Sequence, residues 1–144
     1  MLEADRITVS VLVLALSFGL AGCDKVQQCN KLINTINAHT PKLAAATEKF
    51  GEVQTNPSVA DDYEKAVQAA ADEISGLELD DEQVVRFAGR YKELLERAKA
   101  LGPAMKTART DPEKLQQVVA SADDVKATED KLVAEVNAYC GGEG

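Results

Sequence analysis

Beyond residue 25, apolar positions recur at alternating steps of three and four. Val26, Cys29, Ile33, Ile36, Thr40, Leu43, Thr47 and Phe50 form the first such seam, widened by Leu32. That spacing holds the apolar side chains on one face of an α-helix. The register passes through Pro41. Either Pro41 kinks one long helix, or Thr40 caps a second helix that Pro41 opens. The unbroken register favours one kinked helix, closed by Gly51 to Pro57.

Three further segments repeat the pattern. The second starts near Pro57-Ser58, faces inward with Tyr63, Val67, Ala70, Ile74 and Leu77, and ends at Ser75-Gly76. The third opens at Asp80-Asp81 and faces inward with Val84, Phe87, Ala88, Tyr91, Leu94, Leu95, Ala98 and Leu101. Gly102-Pro103 should stop or kink it, with a further turn over Ala104 to Arg109. The fourth starts with Asp111 as N-cap and Pro112 as first helical residue. Leu115, Val118, Ala122, Val125, Glu129, Leu132, Val136 and Tyr139 continue the stepping. Ser121 and Asp124 also fit a capping box, which would allow a break near residue 121. Strict alternation of β-formers does not occur after Cys23. The prediction is an all-α, antiparallel up-down four-helix bundle, with the last helix returning beside the first.

The region before residue 23 has a different character. Ile7 to Leu20 is a largely apolar stretch of 14 residues, with Val9, Val11, Leu12, Val13, Leu14, Leu16 and Phe18 as its bulk, short of the roughly 20 that span a bilayer. It ends in Leu20-Ala21-Gly22-Cys23. At these four residues the chain resembles bacterial lipoproteins, whose lipobox is a short apolar and small-residue run ending in an obligatory Cys. The resemblance covers the first 23 residues. It implies that residues 1–22 are a signal peptide cut after Gly22, and that Cys23 carries the lipid. The domain would then be residues 23–144, held at a membrane of the cell envelope and lying outside the cytoplasm. Two or more acyl chains make such attachment stable, at about 0.8 kcal/mol per buried CH₂.

Composition narrows the partners. Removing Glu3, Asp5 and Arg6 with the leader from the 24 acidic and 16 basic residues leaves 22 and 15, a net of −7. A nucleic-acid partner calls for basic patches, and none is present. The chain has three Tyr, three Phe and no Trp, a poor supply for a large-ligand pocket.

With Cys23 taken by lipid, Cys29 and Cys140 remain. In an up-down bundle they lie at the same end on neighbouring helices, in a compartment where disulfides persist. A structural bridge between them would close a loop of 111 residues. The competing uses, a redox pair or metal thiolates, lack a CxxC spacing and a nearby His.

Other candidates are sparse. His39 is the sole histidine. It could ligate haem with Met105, but CxxCH is absent. Structural duty beside Thr40-Pro41 fits it better. Glu129 falls on the apolar seam; a diiron bundle would need Glu-x-x-His pairs, which the chain lacks, so Glu129 is expected at the seam's edge. Asp80-Asp81-Glu82 and Asp123-Asp124 lack the alternating calcium-loop pattern and read as helix-start electrostatics. No nucleophile elbow, phosphate loop or spaced carboxylate pair appears. The expectation is a non-enzymatic, membrane-anchored module without cofactor or metal, acting on an envelope protein partner or in envelope structure. The alternative is a small-ligand or metal-binding bundle in the periplasm.

Overall fold

A computed structural model of the chain describes residues 20–141, with side chains from Cys23 onward. Five α-helices follow in order: α1 (Leu20–Glu48), α2 (Ser58–Ser75), α3 (Glu82–Lys99), α4 (Leu101–Ala108) and α5 (Pro112–Cys140). A 3₁₀ turn, Lys49–Glu52, extends α1. The described residues contain no strand. Each helix packs on its sequence neighbour, and α5 returns against α1 to close an all-α bundle of four legs. Residues 1–19 of the leader expected over residues 1–22 lie outside the described residues. No described helix is long and apolar enough to cross a membrane.

The third leg is the divided one. Gly102-Pro103 does not end it; the break comes at Ala100, which closes α3 and opens α4. Pro103 has no N–H for the carbonyl of Lys99, so the α-ladder fails one turn ahead of the proline. The ring itself is tolerated in the first turn of the next helix. Gly102 also lets the legs close: a Cβ there would meet Cγ of Glu64 on α2 at 2.4 Å.

Pro41 sits inside α1, and the helix is continuous through it. It withholds one hydrogen bond from the carbonyl of Asn37, an exposed position that water can reach. Ser121 likewise leaves α5 unbroken. Its hydroxyl donates back to Gln117 O at 2.9 Å instead of capping a new helix.

Asp111, read from the sequence as an N-cap, is in place, and Asp81 caps the helix expected to open at Asp80-Asp81. Asp81 accepts from the N–H groups of Gln83 and Val84 at 3.0 and 2.9 Å. Asp111 accepts from those of Glu113 and Lys114, both at 3.1 Å. Each cap satisfies N–H groups that the first helical turn leaves without partners.

The core runs through all legs. Tyr63, Val67, Ala70 and Ile74 of α2 are buried, as are Val84, Phe87, Tyr91, Leu94 and Leu95 of α3. Val53, 1 % exposed, plugs the core from the turn between α1 and α2. The seam of α1 departs from its prediction. Cys29, Leu32 and Ile36 are buried, but Val26, Thr40 and Thr47 are exposed and Leu43 is half-buried. His39, not Thr40, takes the inward position beside Pro41.

Candidate functional site

For Thr40, Leu43 and Thr47 the reason for that departure is a gap. Past Pro41, α1 and α5 do not close on each other, and a cleft of about 410 Å³ lies between them. Leu43, Ala44 and Thr47 form the α1 wall, and Ala122, Val125 and Glu129 the α5 wall. Phe50 flanks the α1 side and meets Tyr63 edge to face, with ring centroids 4.7 Å apart. Tyr63 and Val67 of α2, with Tyr91, Leu94, Leu95 and Ala98 of α3, make the floor. Small residues on both walls leave unfilled volume that larger side chains would occupy.

The floor carries the cleft's polar point. Tyr91, 1 % exposed, donates its hydroxyl to Glu129 Oε1 at 2.9 Å. Burial pushes both phenols up, and the Glu129 charge adds to it. Tyr63 is raised to about 12 and Tyr91 well beyond its ordinary range. Burial and a neighbouring anion both disfavour a phenolate, so both phenols stay protonated, and Tyr91 acts as donor to Glu129. Around the mouth, Glu48 and Asp123 add two more carboxylates, against the single lysine Lys126. Lys126 is ion-paired with Asp130 one turn ahead.

Along α1, Leu43 is 14 residues from Cys29, about 21 Å at 1.5 Å per residue. Along α5, Glu129 is 11 residues from Cys140, about 16 Å. The cleft is thus well removed from the cysteines.

At that other end the helices are tied. The Cys29 and Cys140 sulfurs stand at disulfide distance, 2.13 Å, with Cα atoms 5.6 Å apart. Their sequence neighbours make a polar clasp onto the start of α3. Gln28, 4 % exposed, accepts at Oε1 from the N–H groups of Asp80 and Asp81 at 2.5 and 2.6 Å. The Tyr139 hydroxyl donates to Asp81, and Lys25 Nζ lies 3.8 Å from the centre of the Tyr139 ring. The Val84 N–H holds the Asp81 carboxyl below the usual range, helped by Tyr139, Gln83 and Lys25 against a desolvation cost. Neither Gln28 nor the Tyr139 contact is legible in the sequence, because partners more than 50 residues apart leave no local spacing to read.

The remaining candidates separate. Glu129 joins the cleft. Neither His39 nor Met105 lines it. His39 Nε2 stands 2.6 Å from Glu73 Oε2 on α2, and its buried Nδ1 has no partner. Met105, 1 % exposed, is core packing of α4. Asp80 and Asp81 serve the clasp and the α3 cap. Among the described residues no group of three or more His, Cys, Asp or Glu is placed to hold a metal ion. Cys23 is exposed in the first turns of α1 and forms no disulfide. No protein-family model, curated protein or solved structure matches the chain.

Proposed function

We propose that this is a membrane-anchored envelope lipoprotein whose helical bundle is a non-catalytic interaction module. The supporting observation is the order of sites along α1. Cys23, the lipobox cysteine, is exposed and lies six residues before Cys29. The anchored end and the tied end therefore coincide, and the far end is offered to the envelope. Lipid on Cys23 would hold the module at the membrane, and export to an oxidising compartment would suit the Cys29–Cys140 pair. The proposed partner is another envelope protein. The non-catalytic part of the reading rests on the sequence, which offers no nucleophile, base and orienting group at a working spacing.

A second reading, that the module holds a small ligand, is favoured by one observation: the cleft between α1 and α5. Its 410 Å³ falls in the range of ligand pockets, roughly 300–1,000 Å³.

Radiolabelled palmitate fed to growing cells tests the anchor. Label should enter the wild-type chain and not Cys23→Ser, and the variant should leave the membrane fraction. Equal labelling of both overturns the reading.

A further inference from the structure

We propose that the cleft is a receptor for a protonated amine joined to a compact apolar group. The inference rests on the ligand-holding reading above and adds the chemistry of the guest.

The walls decide the body of the guest. Leu43, Val67, Leu94, Leu95 and Val125 present hydrocarbon, and only an apolar group gains by displacing water from it. The charges decide its head. Three carboxylates, Glu48, Asp123 and Glu129, line the cleft against one lysine, and that lysine is held by Asp130. An anionic head would meet like charge at the mouth and again at the floor.

Glu129 is the group that selects. It is partly buried between apolar walls, and its one protein hydrogen bond among the described residues comes from Tyr91. None of the described ion pairs includes it; Lys126 feels its charge, but bonds to Asp130 instead. A carboxylate offers about four lone-pair sites, so acceptor capacity remains. A guest that covers the cleft removes water from that charge. The removal is costly unless the guest supplies a counter-charge. An ammonium does so with three N–H donors, at a separation where a drier site strengthens the attraction. Tyr63 and Tyr91 line the same floor, and aromatic surfaces suit a cation. A fully apolar guest would strand Glu129. A divalent metal would find too few ligands among the described residues.

The test uses residues 23–144 with Cys23→Ser, exported without lipid. The buried residues among those described all lie between Gln28 and Val136, within the tested segment. Calorimetric titrations compare phenylbutylamine, phenylbutanol and phenylbutanoate, which share an apolar body and differ in head charge. The amine should bind at least about tenfold more tightly than the alcohol, and the carboxylate should give no measurable heat. Glu129→Gln keeps an acceptor for Tyr91 and removes the charge. It should weaken the amine by about tenfold or more and leave the alcohol unchanged. Ala44→Trp, at an exposed wall position, fills the cleft and should abolish both, which tests the site even if Glu129→Gln folds poorly. Equal binding of amine and alcohol overturns the amine head while leaving a ligand cleft in place. No binding of any probe at millimolar concentration overturns both. Amine binding that survives Glu129→Gln and Ala44→Trp puts the site elsewhere and also defeats the proposal.

Discussion

Reduction of the Cys29–Cys140 bridge is the perturbation whose size the structure sets most directly. The bridge closes a loop of 111 residues. Loop-closure entropy then gives about 4.8 kcal/mol of stabilisation, through the unfolded chain it restricts. Domain stabilities run to roughly 5–15 kcal/mol, so this is a large fraction. For a domain of this size about 4 °C of Tm follows each kcal/mol, and the loss should be about 15–20 °C. Most of the helix should survive at room temperature, because Gln28 on α3 and Tyr139 on Asp81 still hold the closed end. Thermal unfolding followed by far-ultraviolet circular dichroism, with and without reductant, measures the shift. The single variants should not match. Cys29 is 1 % exposed and Cys140 half-buried, so Cys29→Ser also buries a hydroxyl and should be worse by about 1–2 kcal/mol. The double variant should be no worse than Cys29→Ser. A reductant shift below about 3 °C, or two reactive thiols in the folded, oxidised protein, would refute the reasoning.

Two further outcomes follow from the cleft. Leu32 is fully buried and Leu43 lines the open wall, so Leu32→Ala should cost about 2–5 kcal/mol and Leu43→Ala less than about 1.5; equal costs in urea unfolding would mean that α1 and α5 close over the site. Tyr63 titrates higher folded, at about 12, than unfolded, near 10, so its contribution is complete below pH 10 and lost as pH rises through 12. About 2–3 kcal/mol should go over that interval, with Tyr91 acting in the same direction, and Tyr63→Phe should remove part of the slope; a urea midpoint unchanged between about pH 8 and 11.5 would contradict this.

The parts of this fold legible in the sequence are those governed by local chemistry. Asp81 and Asp111 cap because a short carboxylate reaches the N–H groups two and three residues on, whatever lies across the bundle. The faces of α2 and α3 were readable because each packs against neighbours along its whole length, so the period alone names the buried residues. Position 100 was not readable: Gly102-Pro103 announces a break, but the missing N–H acts four residues back and moves it. The cleft was out of reach for a different reason. Leu43, Ala44, Ala122 and Val125 carry the same pattern whether their helices touch or stand apart, and the gap depends on interhelical separation. Glu129 was the one local hint, a carboxylate where the seam called for an apolar side chain. The inward position beside Pro41 was misread by one rotational step, since Thr40 satisfied the spacing while His39 satisfied the packing with Glu73.

The tie between Cys29 and Cys140 also settles how the molecule would carry mechanical load. If Cys23 is the anchor point proposed above, a pull between it and Gly141 runs six residues to Cys29, crosses the sulfurs to Cys140 and leaves at Gly141. The residues between the two cysteines form a closed ring off that line. Apart from Gln28 and the bridge itself, no described buried residue and no part of the cleft lies in series with that pull, so it would stretch a short covalent strut and leave the rest of the bundle unloaded. The force at which the domain extends would then be set by the bridge. Reduction would turn the same sequence from a stiff link into a spring that pays out more than a hundred residues.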